Sequence, residues 1–220
     1  IPPLENGDRL NRVEFERRYA AMPHVCHAEL IEGLVYMPAA LRFKSHGEPH
    51  SWMMTWLGVY AAITPGVSVG DAPTVRLDMD NEPQPDAVLL IDEAAGGQSR
   101  LSDDDYIEGA PELVIEIAAS SAAIDLHAKK NAYRRNGVQE YIVWQVLEQR
   151  LDWWVWQAGE FYPLINDDGI GKSQVFPGLW LAMDALLSGD LQQVLAVVQE
   201  GVRSPQHETF VNQLQDRSTH

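Results

Sequence analysis

A mixed α/β fold, with one central β-sheet flanked by helices, is what this sequence predicts, and three observations carry that expectation. The segment Leu113–Ala118 (LVIEIA) is apolar except for one residue, the pattern of a strand buried on both faces. Segments of helix period and strand period alternate along the chain instead of clustering, the order that builds layered α/β domains. With 220 residues, 45% of them hydrophobic, the chain can bury a sizeable core without cross-links. Its single cysteine, Cys26, permits neither an intrachain disulfide nor a Cys-based zinc site.

Each element has its own signal. Asp8–Ala21 is polar and helix-prone, with Leu10, Val13 and Phe15 as its apolar face, and Pro23 disfavours helix at Met22. Ala28–Met37 (AELIEGLVYM) reads as two short strands around Gly33, a hairpin or a bulged strand. Pro38–Pro49 is a loop by its Pro, Gly and Ser content. His50–Ile63 is a buried helix, with Met53, Trp56, Leu57 and Tyr60 at helical spacing. Val67–Val69, Thr74–Leu77 and Ala87–Ile91 are strand runs, and Ser102–Ile107 suggests a helical turn. After Leu113–Ala118, a helix over Ala122–Arg135 stops at Asn136–Gly137, a good C-terminal cap pair. Glu140–Val146 and Arg150–Gln157 are strands joined by a tight turn. A helix near Leu191–Val202 follows, and the polar Ser204–His220 reads as a frayed end.

Composition narrows the function. No stretch approaches the roughly 18 apolar residues of a membrane span, and Ile1–Asn11 lacks the basic-then-apolar pattern of a signal peptide. A cytoplasmic protein is the expectation. The net charge of −16, from 32 acidic and 16 basic residues, argues against strong non-specific DNA binding, which needs a basic footprint.

Glu116 is the most informative residue. A carboxylate inside a buried strand costs several kcal/mol unless it is paired, protonated or bound to a cation; pairing with a core arginine is the alternative to a functional role. Asp86, at the start of the Ala87–Ile91 strand, is weak alone, since Asp is common in turns. Together, two adjacent strands could aim both carboxylates at one point, a pair suited to Mg²⁺ or Mn²⁺. On the following helix, a projection at about 100° per residue puts Ala122, Leu126 and Tyr133 on one face with Lys129 amid them. Lys129 either lies along the apolar surface with its ammonium at the edge or reaches the carboxylates, with Asp125 one turn earlier as an i,i+4 partner. Two carboxylates and a lysine suit metal-assisted phosphodiester hydrolysis.

These segments also resemble a known family. AELIEGLVYM at 28–37, His50 opening the next helix, QPDAVLLI at 84–91, APELVIEIAASS at 110–121, DLHAKKNAYRRNGVQEYIVW at 125–144 and FPGLW at 176–180 occur in family-like order and spacing. The chain resembles the Uma-two (Uma2) family of restriction endonuclease-like proteins, within the PD-(D/E)XK nuclease superfamily, over about residues 25 to 185. The resemblance implies a restriction-endonuclease-like core with Asp86, Glu116 and the backbone carbonyl of Ile117 as metal ligands. Superfamily nucleases usually carry a lysine two residues after the acidic residue; that position is Ala118 here, and Lys129 matches the family's helix-borne lysine instead. Glu32 and His50 also fall at family-typical positions, as possible auxiliaries beside Asp125. Residues 1–220 are then expected to form one nuclease-like domain, with helical extensions outside the core.

The leading expectation is therefore a Mg²⁺-dependent endonuclease acting on DNA. The alternatives are a catalytically silent interaction module on the same fold, which the acidic charge favours, and a hydrolase of another phosphate ester. Nucleophilic catalysis has little support: Cys26 stands beside His27 without a wider signature, and Ser120–Ser121 reads as a helix-capping loop. The aromatic strand LDWWVW offers a possible homodimer face.

Overall fold

The computed structural model describes residues 1–38, 40–119, 121–166 and 168–219. Helix α1 (Arg12–Ala20) precedes a hairpin of β1 (Glu29–Ile31) and β2 (Leu34–Tyr36). Helix α2 (Glu48–Ile63) leads into β3 (Val67–Asp71), β4 (Val75–Arg76) and β5 (Ala87–Ile91). Next come β6 (Arg100–Leu101), β7 (Ile107–Glu108) and β8 (Leu113–Ala118). After α3 (Lys130–Asn136) run β9 (Glu140–Gln145), β10 (Arg150–Gln157) and β11 (Glu160–Pro163). A ribbon of β12 (Ile170–Lys172) and β13 (Trp180–Ala182) is followed by α4 (Met183–Ser188), α5 (Leu191–Gly201) and α6 (Pro205–Ser218).

Among the described residues the central sheet has six strands in the order β11-β10-β9-β8-β5-β3. β8 and β9 are parallel, joined through the α3 crossover, and the other neighbours are antiparallel. This is the mixed, helix-flanked sheet that the sequence predicts. Side chains alternate across each strand, so β8 divides its residues between two cores. Leu113, Ile115 and Ile117 pack with Trp56, Tyr60, Trp153 and the C-terminal helices. Val114 and Ala118 pack with Tyr133, Tyr141 and Val143 on the α3 side. Glu116 has their parity and therefore points toward α3.

Several elements differ from expectation for identifiable reasons. α1 begins at Arg12, because the Asn11 side chain accepts the Glu14 N–H as an N-cap. Its buried residue is Phe15, whereas Val13 is 63% exposed and takes no part in an apolar face. In the β1–β2 hairpin, Glu32 and Gly33 have φ of 53° and 72°, the pair of positive values that a tight hairpin turn matching strand twist requires. Ser102–Ile107 is not a helical turn; it joins antiparallel β6 and β7, with Asp105 left-handed at φ 66°. Residues 205–218 are not frayed either. Ser204 caps α6 and Pro205 occupies its first turn, and Phe210 and Leu214 are buried in the main core.

Both faces of β10 are covered within the chain. Trp153 joins the first core and Trp154 the second, while the Trp156 indole donates to the Arg134 carbonyl. These tryptophans are thus already committed inside the monomer. Among the described residues no helix is long and apolar enough to cross a membrane.

Candidate active site

Glu116 and Lys129 meet on the α3 face of the sheet. The Lys129 ammonium lies 3.0 Å from Glu116 Oε1, 2.8 Å from Glu29 Oε1 and 3.7 Å from Asp125 Oδ1. Of the two sequence readings of Lys129, the structure therefore selects the one that reaches the carboxylates. The Tyr133 hydroxyl donates to the same Glu116 oxygen at 2.8 Å. All five of these side chains are buried.

Lys129 arrives there by a local departure from α-geometry. Residues Ile124–Lys129 form a π-helical segment before α3. A π-turn closes i→i+5 hydrogen bonds and so advances by smaller steps than the 100° of an α-helix, and here both Asp125 and Lys129 face inward. The C-terminal end of α3 is fixed by Gly137 at φ 81°, as the Asn-Gly pair predicts. Ser121, one of the two loop serines, accepts the Ile124 and Asp125 N–H groups through its carbonyl; Ser120 lies outside the described residues.

Asp86 sits one residue before β5. The β5–β8 ladder ends at Ala87↔Ile115, so the same register continued by one step sets Asp86 opposite Glu116. Asp86 Oδ2 accepts the Ile117 N–H at 2.6 Å, and its Oδ1 lies 2.9 Å from His46 Nε2. The Asp86 carbonyl is 2.9 Å from His50 Nε2, which is also 3.2 Å from Asp71 Oδ1. A second π-helical turn, Phe43–Gly47, carries His46 into the site and runs on into α2. That helix consequently starts at Glu48, with Pro49 in its first turn, ahead of the His50 expected from sequence.

The electrostatics of the cluster are lopsided. Burial works against ionised Glu29, but the Lys129 charge, with the His27 ring 3.9 Å away and hydrogen bonds from Lys129 and the Gln84 N–H, holds it down at about 2. Lys129 loses by burial and gains more from Glu116, Glu29 and Asp125, so its pKa lies well above the usual lysine range. Burial pushes Glu116 far above the ordinary carboxylate range, Lys129 opposes that, and the Asp125, Asp86 and Glu29 charges add to it. Burial likewise lifts Asp125 to about 6 against the pull of Lys129. His46 is raised, first by its hydrogen bond to Asp86. Glu29, Asp86, Glu116 and Asp125 thus share one lysine and one histidine.

The structure brings together Asp86, Glu116, Lys129 and Asp125, all singled out from sequence, and sets His50 on the backbone of Asp86. Glu32 is engaged elsewhere, 2.8 Å from Arg135 in the hairpin turn. Sequence reasoning missed Glu29, His46 and Tyr133. Glu29 carries the same signal as Glu116, an acid between apolar strand residues, in AELI. Tyr133 was read only as part of the apolar stripe.

The donor set fits a hard divalent cation. Carboxylates exceed cations in the cluster, and Asp125 Oδ1 is buried without a hydrogen-bond partner. Among the described residues no three His, Cys, Asp or Glu side chains form a ready-made cage. Asp86, Glu116 and the Ile117 carbonyl would leave the rest of a Mg²⁺ shell to water, as Mg²⁺ commonly has it. A cavity of about 630 Å³ lies at the other end of β8 and β9, lined by residues that include Gln98, Asn136, Gln139 and Trp156.

Comparison with known proteins agrees with this architecture. The family model Uma2, described as "Putative restriction endonuclease", matches residues 13–184. A solved structure from Anabaena variabilis, described as "a putative nuclease belonging to DUF820", superposes with a TM-score of 0.58 at 16% identity, covering 78% of this chain and 96% of its own. At that identity the likeness speaks for the fold. No curated protein matches.

Proposed function

The chain belongs to the Uma2 family of restriction endonuclease-like proteins, and from that membership we propose that it is a metal-dependent nuclease that hydrolyses DNA phosphodiester bonds at Asp86, Glu116 and Lys129. The observation that carries the reading is the buried Lys129–Glu116 contact at 3.0 Å, beside a second carboxylate, Asp86, at the adjoining strand start. A scaffold has no need of this arrangement, since apolar residues of similar volume fill a core as well or better.

Asp86, Glu116 and the Ile117 carbonyl would hold Mg²⁺ or Mn²⁺, which polarises a phosphoryl oxygen and acidifies bound water. The protein's own groups have separate parts. The Ile117 N–H and His46 fix the Asp86 carboxylate from two sides. Glu29 holds the Lys129 ammonium in place, and Lys129 orients the attacking water and offsets charge that develops on the phosphoryl oxygens. Water adds at phosphorus and gives up a proton to solvent while the bond to the leaving oxygen breaks, and that oxygen takes up a proton from solvent.

The test is cleavage of supercoiled plasmid and single-stranded DNA with Mg²⁺ or Mn²⁺, comparing wild type with Asp86→Ala and Glu116→Ala. Cutting that needs the metal and disappears in both variants is the expected result. Cutting that survives both substitutions, or a wild type that cuts nothing across metals and substrates, rejects it. The second outcome leaves a silent nuclease-fold module, or a hydrolase of a smaller phosphate ester, as the better account.

A further inference from the structure

The rim of the site is poor in free positive charge. Lys44, on the turn that carries His46, is bound to Glu48 at 2.9 Å. Lys130 sits over the Trp154 ring, 3.6 Å from its centroid. Arg42 is different: it is exposed, and among the described residues it forms no ion pair. In a chain of net charge −16, an exposed arginine outside any ion pair is a cation left free to meet an incoming anion.

Arg42 adjoins Phe43, which is 70% exposed, with the Lys44 ammonium 5.6 Å from its ring centroid. The backbone there is not loose. The Arg42 carbonyl accepts both the His46 N–H, at 3.0 Å, and the Gly47 N–H, at 3.1 Å. Those bonds make the π-turn whose His46 ring contacts Asp86. Arg42 and Phe43 are therefore tethered to the same turn that reaches the carboxylates. Phe43 and His46 are three positions apart, a span of at most about 11 Å, roughly the reach of one or two nucleotides.

We propose that Arg42 and Phe43 form a stacking platform for an unpaired base next to the scissile phosphate, so that the substrate is single-stranded or locally unpaired nucleic acid; this rests on the nuclease reading above. An exposed phenyl ring can take a base only if the base is out of its duplex. The paired cations elsewhere on the rim leave little to grip the closely spaced phosphates of double-stranded DNA. Arg42 then supplies a phosphate contact, and Phe43 supplies the affinity that charge does not.

The experiment measures fluorescence anisotropy of a labelled oligothymidylate and of a labelled blunt duplex in EDTA, with plasmid and oligonucleotide cleavage in Mg²⁺ run in parallel. Wild type should bind the single strand more tightly than the duplex. The log–log salt slope should be shallow, about −0.7 to −1.4, corresponding to one or two phosphate contacts. Phe43→Ala should weaken single-strand binding about tenfold or more, whereas Phe43→Trp should retain it. Equal affinity for duplex and single strand, or binding unchanged in Phe43→Ala, overturns the platform even if the protein cuts DNA. Binding that depends on Phe43 without any cleavage supports the platform and sinks the nuclease reading instead.

Discussion

Glu29 and Glu82 are both buried carboxylates, and they titrate in opposite directions because of the company each keeps. Glu29 faces Lys129 and is held at about 2 despite its burial. It therefore contributes stability that is present above about pH 4.5 and is lost as pH falls toward 2. Burial, aided by its bond to Glu16 and that residue's charge, lifts Glu82 to about 8 against the pull of Arg76 and Arg12. Its effect on stability falls away as pH rises from about 4.5 through 8. Denaturant titrations of Glu82→Gln across that window should show a flatter profile than wild type; parallel profiles would mean that Glu82 does not titrate there. Lys129→Met removes the cation on which Glu29 depends. Breaking a buried pair in this way costs about 3–5 kcal/mol, and the loss should be larger near pH 8 than near pH 5, where Glu29 and its neighbours can protonate. Adding Glu29→Gln should recover part of it. Equal losses at both pH values, with no recovery in the double variant, would show that the lysine contributes packing only.

At the scale of elements, what was legible in the sequence follows from how uniform each environment is. Ala87–Ile91 and Leu113–Ala118 appear as strands with the bounds read from sequence, because a buried run of apolar residues has few other options. Helix α2 was equally plain, since Met53, Trp56, Leu57 and Tyr60 are fully buried on one stripe. The two π-turns were not legible. A 100° projection assumes the α-period throughout, and neither FKSHG nor IDLHAK carries a proline or glycine pair to announce the change. Both His46 and Lys129 sit on such turns; Lys129 stands amid an apolar stripe that drew attention to it, whereas His46 lies in a segment whose Pro, Gly and Ser content reads as a loop. α6 was missed because its composition is polar and only a narrow edge is buried. The FPGLW segment was recognised as a motif without a reason, and the fold supplies one. Gly178 and Gly201 let the loop before β13 touch the end of α5, and a Cβ on Gly201 would lie 2.2 Å from the Gly178 carbonyl oxygen. Gly201→Ala should cost about 1–3 kcal/mol through overpacking, or about 2–4 °C in Tm per kcal/mol. Because that contact lies on the sheet face opposite α3, the proposed DNA cleavage should be unchanged below the new midpoint. A variant that keeps its Tm, or one that loses activity while folded, would contradict this division between the two faces.

For the whole molecule, the governing quantity is the imbalance between a net charge of −16 and a core cluster that holds four acidic side chains against Lys129 and His46. Two different effects of Mg²⁺ follow, and they can be separated. Screening of the general repulsion between surface carboxylates acts through ionic strength and should be matched by NaCl. Occupancy of a site made by Asp86 and Glu116 acts through mass action on the folded state alone, giving about 1.4 kcal/mol at ten times Kd. For a chain of this size that corresponds to a rise of about 3–6 °C in Tm. The expected pattern is a Mg²⁺-dependent rise beyond that in NaCl of equal ionic strength, lost in Asp86→Asn and in Glu116→Gln. If NaCl reproduces the whole shift, the cation sees only the acidic surface, and the carboxylates around Lys129 form a structural ion-pair core. If the shift is specific and both substitutions abolish it, the cluster is a metal site whatever reaction it serves.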